Sequence, residues 1–156
     1  MKFTYDKVKN DVWEVIKDRI DFVYESSDDC DSCTDHKNWE YDEEYFDVEP
    51  ASCTSHFDID ACRYFYANDD GSSNCNTPAC VVGNWFVFEG FSPEDLGVER
   101  WEQIEGQDIS SVLGKSKLDI EQHALAFLCK IQDYQDTQQP WGIAYESAVA
   151  NIEGGE

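Results

Sequence analysis

The sequence predicts a mostly α fold, a single small helical domain carrying one long acidic, cysteine-containing insertion. Three observations lead there. Apolar residues recur at three- and four-residue spacings near both ends of the chain. Helix start and stop signals punctuate the second half. Between them, residues 26–56 lose periodicity and fill with Ser, Asp, Cys and Thr. The length of 156 residues suits one domain, and a chain of that size buries roughly 70% of its unfolded surface. Hydrophobic residues make up 41% and aromatics 14%. Disordered acidic tails lack aromatics, so this is a folded acidic protein.

Residues 5–24 form the first expected helix, with Tyr5, Val8, Val12, Val15, Ile16, Ile20 and Val23 as its apolar stripe. A loop as long as 26–56 is uncommon in a compact domain unless it binds something or is disordered. Within it, residues 39–46 (WEYDEEYF) alternate acids with aromatics and fit a short helix or a short strand. Further on, Thr77 reads as an N-cap, Pro78 as a first helical residue and Gly90 as a stop. The stretch ACVVGNWFVFE between them has the composition of a buried strand, but the agreement of both end signals favours a helix. Ser92-Pro93-Glu94-Asp95 repeats the start signal as a capping box, and Gly97, Gly106 and Gly114 divide 92–114 into short helical pieces. Ser116 with Asp119 opens a helix to about Asp136, its apolar positions Ile120, Ala124, Phe127, Leu128 and Ile131. Pro140 starts the last helix, with Trp141, Ala144, Tyr145, Ala148 and Val149 on one face. The expected division is an N-terminal helix over 1–25, the acidic insertion over 26–76, a helical core over 77–150 and a frayed tail over 151–156.

The chain carries 34 Asp and Glu against 11 Lys and Arg, a formal net charge of −23. Phosphate repels such a chain, which argues against direct nucleic-acid binding and against docking on an anionic membrane. The charge is uneven. Residues 1–27 carry net −1, 28–70 net −12, 71–114 net −6 and 115–156 net −4. The most acidic stretch also holds four of the seven Cys and two of the three His. No apolar run is long enough to span a bilayer, and MKFTYDKVKN lacks the apolar stretch of a signal peptide. The expectation is a soluble protein in a reducing cytosol, where seven Cys are many, and an odd number for a disulfide framework.

The cysteines offer one candidate metal site. Cys30-x2-Cys33 and Cys53-x2-His56 are two knuckles whose spacing suits tetrahedral zinc. His36 is an alternative ligand, and Cys62, Cys75 and Cys80 are a possible second cluster. Against zinc, Asp29, Asp31 and Asp35 crowd the thiols and oppose the thiolates zinc requires. The same flanks argue against a redox role. Reduced thiols packed as small hydrophobes are the plainer alternative, and Cys129, on an apolar helix, reads as core. His123 reads as a surface or boundary residue. No P-loop, G-x-G-x-x-G, G-x-S-x-G, H-E-x-x-H or zinc-deaminase signature is present, so no enzyme is expected. Asp69-Asp70-Gly71-Ser72 is a turn rather than a calcium loop. A helix–turn–helix drawn through residues 99–127 would present Glu102, Glu105, Asp108, Asp119 and Glu121 to phosphate, the wrong charge for a DNA reader.

The acidity itself has a bland reading, a solvated and soluble shell or a salt adaptation, although salt-adapted proteins usually have little Lys and this chain keeps eight. The sharper reading is phosphate imitation, in which spaced carboxylates attract the basic cleft of a nucleic-acid-binding protein. The expected partner-binding residues are Asp28, Asp29, Asp31, Asp35, Glu40, Asp42, Glu43, Glu44, Asp47 and Glu49 for charge. Trp39 and Tyr45 supply contact area.

One resemblance bears on this choice. Cys62-Arg63-Tyr64, Pro78-Ala79-Cys80-Val81-Val82-Gly83, Gln132, Gln135-Asp136, and Trp141 with Ala144 and Ala148 resemble a group of small, uncharacterised proteins of tailed bacteriophages, over about residues 62–150. The glycine usual in that group two residues after the Gln-Asp pair is Gln138 here, and the acidic N-terminal third lies outside the resemblance. The resemblance implies no catalytic residues. It implies a phage origin and a bacterial host cytoplasm, and small acidic phage proteins are often inhibitors of defence or transcription machinery. The expectation is a non-enzymatic acidic phage-type protein that inhibits a basic nucleic-acid-binding partner by DNA mimicry. The alternative is a zinc-stabilised structural or regulatory module.

Overall fold

The computed structural model describes residues 1–23, 63–68, 70 and 72–155, and over these the chain is mostly α-helical. A short strand, β1 (Lys2–Phe3), leads into α1 (Tyr5–Ile16). Strands β2 (Phe65–Ala67) and β3 (Ser73–Pro78) pair antiparallel ahead of α2 (Val81–Glu89). Two 3-10 turns, Pro93–Leu96 and Trp101–Gln103, precede α3 (Ile109–Lys115). Strand β4 (Asp119–Ile120) then leads to α4 (Gln122–Asp136) and α5 (Trp141–Glu153). Helix α4 packs along α5, and α1 lies against both α2 and α4. None of the helices among the described residues is long and apolar enough to cross a membrane.

Helix α1 follows the expected stripe through Val8, Val12 and Ile16, all fully buried, and stops there instead of running to residue 24. The reason lies in α5. The first N–H groups of a helix have no partner within it. Beyond Ile16 the chain turns, so that the Phe22 carbonyl accepts from Trp141 N–H (2.9 Å) and the Ile20 carbonyl from Gly142 N–H (2.8 Å). A Cβ on Gly142 would stand 3.0 Å from the Ile20 Cβ, so glycine is what permits this approach. Ile20 and Val23 therefore leave the stripe and are exposed.

The helix favoured over a strand for residues 79–89 is present as α2, but it begins later than Thr77 and Pro78. Both belong to β3, where Pro78 pairs with Phe65 at the strand end, a position that tolerates a missing N–H. Cys80 is the cap instead, its Sγ accepting from Gly83 N–H at 3.3 Å. Six consecutive residues from Val81 to Phe86 are buried, so the first part of α2 is covered on all sides and shows no 3.6-residue stripe, while Val87 and Phe88 in its last turn are exposed. Gly90 ends it in the left-handed region (φ 71°), as the stop signal requires.

The segment after Gly106 also departs from expectation. Gly114 lies inside α3 rather than dividing helices. Asp119–Ile120 forms a strand parallel to Lys2–Phe3 rather than a first helical turn, because buried Phe3 requires a backbone partner, and Glu121 N–H also donates to the Phe3 carbonyl (2.9 Å). Ser92 and Asp95 do form their capping bonds, both to Asp95 Oδ2 at 2.8 Å, on a 3-10 turn. At the C-terminus, α5 runs to Glu153 where the sequence predicts fraying from residue 151. Lys9 Nζ (2.8 Å) and the Tyr5 hydroxyl (3.1 Å) both bind the Glu153 carboxylate and tie the end down.

Candidate functional site

The expected partner-binding residues, Asp28 through Glu49 with Trp39 and Tyr45, lie outside the described residues. So do the expected zinc ligands Cys30, Cys33, Cys53 and His56, and the alternative His36. The structure fixes the two places where the core meets this acidic segment.

On the N-terminal side, Val23 forms an isolated antiparallel bridge with Pro140. Four residues earlier, the Arg19 guanidinium stacks over the Trp141 ring (4.9 Å) and donates from Nη2 to Asn84 Oδ1 at 2.6 Å. On the C-terminal side, Tyr64 and Phe65 N–H donate to the two carboxylate oxygens of Glu105, at 2.9 and 3.0 Å. The Tyr64 carbonyl accepts from Ala79 N–H (2.8 Å) and lies against Gly83, where a Cβ would come within 2.0 Å of it. Asn84 holds one side and its neighbour Gly83 the other. Arg19, ahead of residues 24–62, and Tyr64, just after them, thus both meet the first turn of α2.

Tyr64, Gly83 with its neighbours, and the α4 glutamines meet at this junction. The buried Tyr64 hydroxyl donates to the Gln107 carbonyl (2.8 Å) and accepts from Gln132 Nε2 (3.1 Å). Gln132 Oε1 accepts from Ile109 N–H (2.8 Å), the first residue of α3, and Gln135 Oε1 accepts from Val81 N–H (3.0 Å), the first of α2. Residues three apart on a helix share a face, so α4 offers two buried amides that each satisfy an orphan donor of a neighbouring helix. These residues hold elements together.

The thiols resolve in part. Cys80 is fully buried and its sulfur caps α2, while Cys62 and the Cys75 side chain, its companions in the expected second cluster, lie outside the described residues. Cys129 is half-buried on α4, and burial pushes its thiol up. His123 is exposed on α4. Among the described residues, no three His, Cys, Asp or Glu side chains gather as a metal-binding group.

Several core carboxylates are engaged by the backbone. Of the five acids that the rejected helix–turn–helix over 99–127 would have turned to phosphate, four accept backbone amides. Glu105 is half-buried, and that burial pushes its carboxyl up. It accepts Tyr64 and Phe65 N–H, together with the Ser73 hydroxyl (3.1 Å). Glu102 accepts Ser73 N–H (2.9 Å), Asp108 accepts Ser111 N–H (2.9 Å), and Glu121 accepts Tyr5 N–H (3.0 Å) at the start of α1. The serine hydroxyls beside Asp108 hold its carboxyl down at about 2, helped by the Ser111 amide. An acid that caps a backbone and an acid that charges a surface look alike in sequence, so this division is not legible there.

Comparisons with family models, curated proteins and solved structures return no match for this chain.

Proposed function

We propose that this is a non-enzymatic acidic protein that binds a basic nucleic-acid-binding host or defence protein by imitating DNA charge, and inhibits it in a bacterial cytoplasm. The observation that supports the reading is the placement of charge. Net −12 falls within residues 28–70, against −1 in residues 1–27. Several acids of the described core are meanwhile taken up by backbone amides. A concentrated carboxylate field speeds association with a basic cleft and weakens with salt. The test replaces Asp42, Glu43, Glu44 and Asp47 with Lys and measures capture of basic nucleic-acid-binding proteins from host lysate at low and high salt. Salt-released capture lost in the variant supports the mechanism; unchanged capture sinks it.

A second reading, a zinc-stabilised structural or regulatory module, rests on the Cys30-x2-Cys33 and Cys53-x2-His56 spacing. Elemental analysis of purified protein decides it, since one zinc per chain is required and free thiols without zinc end it.

A further inference from the structure

Where α1 meets the end of α2, one ammonium serves two carboxyls. Lys7 Nζ lies 2.5 Å from Asp11 Oδ2, one turn along α1, and 2.6 Å from Oε1 of Glu89, the last residue of α2. The two carboxyls are also within hydrogen-bond reach of each other. Water reaches the set poorly, since the Glu89 side chain is 8% exposed and that of Asp11 17%. The Phe3 ring lies against it, 5.2 Å from Lys7 Nζ. The groups facing Glu89 from α1 are Lys7 and Asp11. Helix α4 and strand β3 also pack on α2, but neither brings an ion-pair partner to Glu89 among the described residues.

The charges do not balance. With every group ionised, two like charges touch across a single cation, in a place that water hardly reaches. They do so at the C-terminus of α2, the negative end of the helix dipole, and that last turn holds no basic residue. A buried set with surplus charge takes up a proton instead. With a proton on Glu89 the set is neutral, the carboxyl donating to Asp11 and accepting from Lys7. Burial accordingly pushes the Glu89 carboxyl above its ordinary 4.5; Lys7 pulls it back, and Asp11 pushes it up again. The folded chain therefore keeps a proton that the unfolded chain releases above pH 4.5. Its contribution to stability is whole below pH 4.5 and fades as pH rises through the folded value.

We propose that Lys7, Asp11 and Glu89 form a proton-operated joint that holds the end of α2 on α1. When the proton passes to solvent, the bond between the carboxyls is lost and the two carboxylates repel. The last turn of α2, which carries exposed Val87 and Phe88, then loosens from α1. Two backbone bonds report on that turn: Gly90 N–H to the Val87 carbonyl (3.1 Å) and Phe91 N–H to the Phe86 carbonyl (3.0 Å).

The test follows the Glu89 carboxyl by carbon NMR, together with amide-exchange protection at Gly90 and Phe91, from pH 4.5 to neutrality. High salt screens the general repulsion of the chain. Glu89→Gln keeps the neutral hydrogen bonds and cannot ionise. The wild-type Glu89 titrates above 4.5, and wild-type protection falls against that of Glu89→Gln by up to tenfold per pH unit. Glu99→Gln removes one exposed charge elsewhere and keeps the wild-type profile. Asp11→Asn lowers the Glu89 titration, because it takes away the neighbour that opposes ionisation. A Glu89 carboxyl that titrates at or below 4.5 overturns the joint. So do parallel protection profiles in wild type and Glu89→Gln, and so does a Glu89 titration that Asp11→Asn leaves in place. Should Glu89→Gln fail to fold, the wild-type and Asp11→Asn titrations decide.

Discussion

Gln138 is the only non-glycine residue with positive φ among the described residues, at 62°. It stands at the end of α4, where Gln138 N–H donates to the Gln135 carbonyl (2.9 Å) and Gln139 N–H to the Tyr134 carbonyl (3.2 Å). Those two bonds, one spanning three residues and one spanning five, make a Schellman motif with Gln138 at the position that glycine usually takes. The Gln138 side chain is exposed, so Gln138→Gly gives up little packing. A left-handed conformation costs an L-residue about 1–2 kcal/mol, and glycine's added freedom in the unfolded chain takes back about 0.5–1 kcal/mol. The net gain is about 0.5–1 kcal/mol, or a Tm rise of about 1–4 °C for a chain of this size. Thermal unfolding followed by far-UV circular dichroism measures it. Thr137, one residue earlier with φ −87°, is the control, and Thr137→Gly lowers Tm because no strain is relieved there. A Gln138→Gly variant that unfolds at or below the wild-type temperature refutes the strain argument.

Two further substitutions probe the core. Gly83→Ala forces a Cβ to within 2.0 Å of the Tyr64 carbonyl; because that contact is backbone and cannot rotate away, the variant loses more than about 3 kcal/mol, and urea unfolding within about 1 kcal/mol of wild type counts against the junction. Asp108→Ala removes the cap of α3 and costs about 1 kcal/mol at pH 7. The Asp108 carboxyl is depressed to about 2 in the fold from an ordinary 3.8, so its contribution is present above pH 3.8 and fades as pH falls toward 2; the gap between variant and wild type closes over that window, and a gap that stays constant through it contradicts the capping role.

The sequence is most legible where local signals are not contested. The stripe of α1, the left-handed stop at Gly90 and the Ser92–Asp95 capping box all appear where the residues put them, because each is decided within a few positions. The misreadings fall where a distant partner overrules the local pattern. Pro78 reads as a helix start until Phe65 pairs with it, and Asp119 reads as a capping residue until the Lys2–Phe3 strand recruits it. Ile20 and Val23 match a helical stripe, yet their segment is drawn off to satisfy α5. The junction is half legible. Tyr64, Gly83, Gln132 and Gln135 stand out as a group, but nothing along the chain says that Gln132 and Gln135 each face a different helix start.

Arg19 and Tyr64, on either side of residues 24–62, meet adjacent residues of α2: Arg19 donates to Asn84 and the Tyr64 carbonyl packs against Gly83, contacts wholly within the described core. Chain closure between fixed ends depends only logarithmically on length, so shortening a loop about threefold relieves about 1 kcal/mol. Replacing residues 26–60 with a flexible Gly/Ser linker of about twelve residues, whose average span is about 20 Å, therefore leaves the helical core folded. Tm rises by about 2–4 °C from closure alone, and further at low salt because most of the net charge of 28–70 is removed. Circular dichroism and calorimetry at low and high salt read both effects. A linker variant with lost helix signal or lowered Tm means the acidic segment supplies core side chains, and its charge is then not free to vary independently of the fold. A folded, more stable variant means the opposite: the core is a mount, and the length and charge of the segment it carries can change without disturbing Tyr64, Gly83 or the two glutamines that lock them.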